Sequence, residues 1–295
     1  MSLQTCNYYV TFRCNATCEF CNIWQGKEQA EPAASEVEPE ALGAIRKLGV
    51  KYLNITGGEP FLREDLPQIL KHAKDLGFFI SLTTNGLLYR ERGKPTAGLI
   101  DRLYFSLDYP MEEEHDRSRG IDCFYEVMAA IDLAKEWGEK PIINFTMTRD
   151  SVRFLPEMVE LAERKGVFVY LYPVYDFYGT QGFESMTFEH IRYYARRKKV
   201  LQNRAVIEFV KAGGNKVFLP RCHARETVVT LLPDGTRVSP CFFNPGGRQG
   251  REDVCSSCMR WDYMLPSFTQ GLDKYFGLNL YSDWENRNKL RREKT

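Results

Sequence analysis

Short aromatic and β-branched runs alternate with longer stretches whose apolar positions recur at helical spacing. The strand-like runs are Tyr8 to Phe12, Tyr52 to Thr56, Phe79 to Thr83, Leu103 to Leu107, Ile142 to Thr148 and Val167 to Val174. Between them, helices fit Pro39 to Leu48, Asp65 to Leu76, Cys123 to Trp137 and Phe154 to Lys165, each followed by a glycine at a stop position. The stretch from Glu28 to Pro39 reads as a loop, and Thr187 to Ala212 as one long charged helix ended by Gly213-Gly214. Six strands separated mostly by helices predict parallel βα units. Polar residues gather after the strands, at Gly57-Gly58-Glu59-Pro60, Thr84-Asn85-Gly86, Asp108, Arg149-Asp150 and Tyr175-Asp176. That is where a barrel of such units places its active site.

The pattern changes after Gly214. Two β-rich runs flank Pro233-Asp234-Gly235 and read as a hairpin. It would bring Cys222 towards Cys241, ahead of the tight pair Cys255-Ser256-Ser257-Cys258. From Met264 onward, Phe268, Leu272, Tyr275, Phe276 and Leu280 recur at near-helical spacing, and the segment ends basic. Packing on the barrel or lying on a membrane surface both suit that pattern. The expected division is 1–214 for the barrel, 215–265 for a cysteine-bearing module and 266–295 for a helical tail.

Charge narrows the partners. With 40 basic and 39 acidic residues, the net charge of +1 gives no field that would gather nucleic acid or acidic lipid. Basic runs at Arg196-Arg197-Lys198-Lys199 and from Lys289 to Lys294 read as solvated faces. No apolar stretch approaches the roughly 20 residues needed to span a bilayer, and Met1 to Thr5 lacks a basic-then-apolar run. Peripheral membrane contact stays open. Nine cysteines without an export signal favour a reducing, cytoplasmic setting and metal ligation over disulfides.

The first cysteines carry the chemistry. Cys14, Cys18 and Cys21 are spaced C-x3-C-x2-C. Soft thiolates suit iron–sulfur clusters, and three ligands leave one iron of a cubane open to a cofactor atom. Zinc normally closes with a fourth Cys or His nearby, and the first histidine is His72. The segment resembles the signature of the radical S-adenosylmethionine (SAM) superfamily, with Phe20 as the aromatic before the third cysteine. The resemblance implies a partial (β/α)6 TIM-type barrel, a [4Fe–4S] cluster, and SAM bound to its open iron. It also implies reductive cleavage of SAM to a 5′-deoxyadenosyl radical and a one-electron reductant such as flavodoxin or ferredoxin. Gly57, Gly58 and Glu59 match the motif that holds the amino group of SAM. Ser106 and Arg119 resemble the pair that binds its carboxylate, with Arg117 as the alternative. Asn85 and Asn144 are placed near the ribose or methionine, and Tyr172 beside the adenine.

Cys222, Cys241, Cys255 and Cys258 supply four ligands, enough to close a second site. A hairpin with C-x2-C suits zinc. The arrangement also resembles the twitch extension, a shortened SPASM module that holds one auxiliary [4Fe–4S] cluster. The resemblance as a whole implies hydrogen abstraction from a small molecule, with the auxiliary cluster accepting an electron in a net oxidation. Radical carbon–carbon or thioether coupling on a peptide or metabolite is the alternative. A non-catalytic SAM or iron–sulfur binding or maturation protein is the reading from another class. Asp176 is the candidate base, with Tyr175, Tyr178 and His223 as candidate pocket residues.

Overall fold

The computed structural model describes residues 3–25, 34–174, 185–215, 222–238 and 258–292. The strands are β1 (Thr5–Thr11), β2 (Tyr52–Gly57), β3 (Phe79–Thr84), β4 (Arg102–Ser106), β5 (Pro141–Met147), β6 (Phe168–Pro173), β7 (Val200–Leu201), β8 (Val228–Leu231) and β9 (Arg237–Val238). They form one sheet in the order β7-β6-β5-β4-β3-β2-β1-β8-β9. Neighbours are parallel except β8 and β9, which form the expected hairpin. The sheet is the open, partial barrel anticipated from the alternation of strands and helices.

The helices are α1 (Ala34–Lys47), α2 (Leu66–Asp75), α3 (Tyr89–Arg92), α4 (Glu112–Arg119), α5 (Phe124–Glu136), α6 (Leu155–Lys165), α7 (Ser185–Tyr194), α8 (Arg204–Lys211), α9 (Ala224–Thr227), α10 (Trp261–Met264) and α11 (Lys274–Arg291). Each strand turns alternate residues to opposite faces. Tyr8, Val10, Leu53, Ile55, Phe105 and Phe145 enter one buried core with helix residues such as Leu70, Ile131 and Val159. The other face is polar and aromatic. There Asn54 Nδ2 donates to Asn7 Oδ1 at 3.2 Å, and Ser81 Oγ donates to Asn54 Oδ1 at 3.1 Å.

Two elements depart from the sequence expectation. The stretch read as one helix from Thr187 to Ala212 is α7, β7 and α8. Val200 and Leu201 pair with Val169 and Tyr170 at the edge of β6, and this pairing overrides helix propensity. Asn203 then restarts the helix by accepting from the Ala205 and Val206 amides at 2.9 and 3.3 Å. Helix α1 begins at Ala34 and runs through Pro39, which was expected at its start. Its Ala- and Glu-rich upstream residues propagate the helix despite the bond that Pro39 cannot donate.

The C-terminal stretch contributes to the same sheet. Strand β8 pairs with β1 from Thr5↔Val228 to Tyr8↔Leu231. Helix α10 crosses the open side of the barrel. Trp261 Nε1 donates to Pro173 O on β6 at 2.9 Å, and Asn7 on β1 donates to Asp262 Oδ2 at 3.1 Å. Tyr263 OH lies 3.2 Å from Thr230 Oγ1 on β8. In the tail, Phe268 and Tyr275 stack at 5.5 Å and are buried. Leu272 and Leu280, expected on the same docked face, are exposed.

Candidate active site

The three-cysteine loop leaves the C-terminal end of β1 and is fixed from two sides. On one side lies the Gly57-Gly58-Glu59 turn. Gly58 N donates to Thr11 O at 2.8 Å, and Glu59 N donates to Arg13 O at 2.9 Å. A Cβ on Gly57 or Gly58 would fall on the carbonyl oxygens of Thr11 and Arg13 respectively. Gly57 also sits at φ +131°. Both positions need glycine because the chain entering the cysteine loop passes directly against them.

On the other side lies the end of α4. Thr17 N donates to Arg119 O at 3.0 Å, and Glu19 N donates to Ser118 O at 3.1 Å. Ser118 Oγ donates to Glu19 Oε1 at 3.2 Å. Gly120, at φ +67°, turns the chain there, and a Cβ on it would meet Thr17. The cysteine loop therefore spans two βα units that sequence spacing alone does not connect.

Glu59 is buried and held by three donors. Its Oε1 accepts from Phe61 N at 3.0 Å and Thr84 Oγ1 at 2.8 Å, and its Oε2 accepts from Asn85 N at 2.7 Å. Burial pushes its carboxyl up to about 7, against the pull of these bonds. A carboxylate has about four lone-pair sites, so it retains capacity for an ammonium group. Asn85 Nδ2 donates to Asn15 Oδ1 at 2.7 Å and ties the end of β3 to the cysteine loop.

Arg119 is the buried arginine of α4, while Arg117 is exposed. Its Nη2 lies 2.6 Å from Asp108 Oδ2, and its Nη1 donates to Cys18 Sγ at 3.5 Å. The guanidinium carbon stands 5.6 Å from the Phe20 ring centroid. Its Nε is buried with no hydrogen-bond partner, an open donor beside the loop. Asp108 N donates to His115 Nδ1 at 3.2 Å. Burial, and then Arg119, hold His115 neutral, with a pKa of about 3. Burial also raises the Cys14 thiol to about 11. A cluster iron must displace that proton.

Ser106 and Asn144 are nearly buried and face one another in register between β4 and β5. Tyr172 packs edge-on against Trp261 at 4.5 Å. His223 does not join the strand-end site. It precedes α9, its Nδ1 lies 3.0 Å from Glu226 Oε2, and its amide donates to Ser267. The reason is topological, because α9 leads into the start of β8 and so lies at the opposite end of the sheet. Asp176, Tyr175, Tyr178, Cys241 and Cys255 lie outside the described residues.

Cys222 and Cys258 are described. Cys222 packs with Ala224, Val228 and Tyr263, and Cys258 O accepts from Asn215 N at 2.9 Å. Cys14 follows the last residue of β1, whereas Cys222 precedes Val228, which pairs with the first residue of β1. The three-cysteine loop and Cys222 thus approach the barrel from opposite ends. Sequence reading missed Asp108 as the partner of Arg119, and Trp261, Asp262 and Tyr263 as the closure of the barrel. Asp108 at a strand end was a usable signal, whereas α10 carried none.

A family model described as the radical SAM superfamily matches residues 8–150. A protein named "Probable GTP 3′,8-cyclase" from Metallosphaera sedula is 30% identical over 267 residues, covering 82% of this chain and 81% of its own. The chain belongs to the radical SAM superfamily. The like-named protein from Sulfurisphaera tokodaii is 28% identical over 294 residues, covering 90% and 88%. Among solved structures, Streptococcus suis SuiB bound to the precursor peptide SuiA superposes with a TM-score of 0.68 at 18% identity. That match covers 87% of this chain, which spans only 65% of the longer SuiB chain. The structure of anSMEcpe with bound AdoMet gives 0.59 at 18% identity, covering 81% and 75%. These two likenesses concern the fold alone.

Membership implies SAM and a [4Fe–4S] cluster, and this radical SAM protein has residues that fit both. It has three thiols in one fixed loop, a carboxylate with acceptor capacity at Glu59, and an open guanidinium donor at Arg119.

Proposed function

We propose that this radical SAM protein takes a hydrogen atom from a small polar molecule bound in its barrel and completes a net oxidation. Cys14, Cys18 and Cys21 would hold the first cluster. Glu59, on the turn built by Gly57 and Gly58, would take the amino group of SAM, and Arg119 with Ser106 its carboxylate. Phe20 packs under that arginine, and Asn85, Asn144 and Tyr172 lie along the remaining wall. Cys222, Cys241, Cys255 and Cys258 would hold an auxiliary [4Fe–4S] cluster in a twitch-like stretch, residues 215–265. When bound, these groups supply a 5′-deoxyadenosyl radical and an electron acceptor, and the protein supplies binding, orientation and exclusion of water.

The observation that carries this reading is the polar space between the three-cysteine loop, after the end of β1, and Cys222, before the start of β8. Asn7, Asn54, Ser81 and Asp262 form a hydrogen-bonded chain across that space. Such a lining suits a hydroxylated or amino-bearing molecule better than an apolar one. Asp176, beyond β6, remains the proposed base.

A second reading comes from the relatives named GTP 3′,8-cyclase, which are similar over more than four fifths of their length. In it, the radical closes a ring on a purine nucleotide. One anaerobic experiment tests both. The reconstituted chain should carry about eight irons, falling to about four when Cys222, Cys241, Cys255 and Cys258 are all alanine. After reduction it should form 5′-deoxyadenosine from SAM, and Cys14→Ala should abolish this. A rise in that product with GTP, but not with secondary alcohols, selects the cyclase reading. About four irons in both chains, with one zinc in the native chain, removes the electron acceptor and with it the oxidation.

A further inference from the structure

Helix α11 docks through a mixed face, on which Tyr275, Leu278 and Leu290 pack inward beside three polar side chains. Asn279 Oδ1 accepts from Asn203 Nδ2 at 2.7 Å, and Ser282 Oγ accepts from Arg204 N at 2.9 Å. Asn286 Nδ2 donates to Gln202 O at 2.8 Å. The outward stripe carries Leu280, Tyr281 and Trp284, which are 50%, 46% and 61% exposed. Arg287 and Arg291 continue it and are exposed. An ordinary surface helix keeps its outer face polar. Here Leu280, Tyr281 and Trp284 put apolar residues on the solvent side as well as on the docked side, a surface suited to being covered.

Charge identifies the cover. Lys289 Nζ donates to Ala195 O at 2.9 Å and to Val200 O at 2.8 Å. These bonds bring the basic end of α11 against the basic run after α7. Exposed Arg287, Arg291 and Arg292 continue α11 beyond the stripe, and exposed Arg196 and Lys198 lie in the run that Lys289 meets. A cavity of about 140 Å³ is lined by Arg192, Arg196, Arg204, Glu208 and Leu278 among others, from α7, α8 and α11 and the residues that join them. Carboxylates engage part of this charge: Glu189 and Glu208 on Arg192, Glu285 on Arg204, and Asp283 on Arg287. Arginines still outnumber them at the rim.

We propose that α11 and the adjoining 192–200 segment form a docking surface for an anionic lipid bilayer. Trp284 and Tyr281 suit the headgroup level, Leu280 the acyl boundary, and the arginines the lipid phosphates. Nucleic acid fits less well, because an exposed leucine adds nothing to base stacking. A second copy of the chain would set Arg287, Arg291, Arg292 and Lys274 against their like, with Asp283 the exposed acid among them.

The test is co-sedimentation of the full chain with phosphatidylglycerol and phosphatidylcholine vesicles. Binding should be on the order of 100-fold tighter to phosphatidylglycerol, from at least three exposed arginines. Trp284→Glu should weaken it on the order of tenfold with an unchanged melting temperature, because the docked face is untouched. Should that variant not fold, Arg291→Glu, also outward, is expected to lower binding to the anionic vesicles alone. Equal binding to both lipids, or to neither, overturns the proposal. So does binding that both variants retain, a preference for an RNA oligonucleotide over vesicles, or self-association that Trp284→Glu abolishes.

Discussion

The two cysteine-bearing regions of this radical SAM protein are built in opposite ways. Around Cys14–Cys21, a few bonds between compact motifs do the positioning. Two glycines admit the loop, three donors hold Glu59, and one buried ion pair sets Arg119 on Cys18. Around Cys222 and Cys258, position comes from many ordinary contacts. Strand β8 pairs with β1, α10 bonds to three strands, and Asn215, in the turn after α8, donates to Cys258 O. The first region concentrates its stability in few residues, and the second distributes it. Single substitutions should separate the two.

The largest effect is expected at Gly58. A Cβ there overlaps the Arg13 carbonyl, and backbone on both sides is hydrogen-bonded. Gly58→Ala should destabilise the chain by about 5 kcal/mol in urea unfolding, whereas Gly277→Ala should cost far less, because a Cβ there meets nothing within 4 Å and its φ is not positive. Next comes Asp108. Its carboxylate is fully buried against Arg119, and Asp108→Asn leaves that guanidinium without its counter-charge. The expected loss is about 4 kcal/mol. Arg204→Gln, whose pair with Glu285 is partly exposed, should cost under about 1 kcal/mol.

Glu59 gives a pH-dependent effect of intermediate size. Burial raises its pKa from 4.5 to about 7 in the folded chain. Between those values the unfolded chain has released its proton and the folded chain has kept it. Stability of the metal-free chain therefore falls as pH rises, by about 3 kcal/mol across the window. Urea unfolding at pH 5 and pH 7.5 should show that loss in the native chain and not in Glu59→Gln. A bound ammonium group would stabilise the charged form and restore the loss. Equal pH dependence in both chains would remove Glu59 as the seat of an amino group.

The same contrast explains what the sequence could reveal. Cys14 to Cys21 and Gly57-Gly58-Glu59 were legible because each is local and its chemistry needs those residue types in that order. Arg119 was placed, but not its partner, because Asp108 meets it only after α4 folds back over the end of β4. Val200 and Leu201 read as helix because nothing local marks them as strand, and the edge of β6 makes them one. Trp261, Asp262 and Tyr263 close the barrel through partners 88, 255 and 33 residues away, a separation no periodicity encodes. The tail was legible as a docked helix, but its polar contacts were not, because Asn279, Ser282 and Asn286 meet backbone and amide groups of a loop whose sequence reads as helix.

The smallest effect is expected at Tyr263, and it bears most directly on the contrast. Its hydroxyl meets Thr230 on β8, buried at 3.2 Å, and its ring packs with Cys222, Ala224 and Val228. Tyr263→Phe keeps the ring and removes the hydroxyl's contacts with Thr230 and Tyr9, so the loss should be about 1–2 kcal/mol. The strand pairing of β8 with β1 and the Trp261 bond to Pro173 hold the segment without it. Iron content should therefore stay at the native value. If Tyr263→Phe instead cost as much as Asp108→Asn, or lowered the iron count by about four, closure would hang on one hydroxyl, and the C-terminal region would be as concentrated as the N-terminal one.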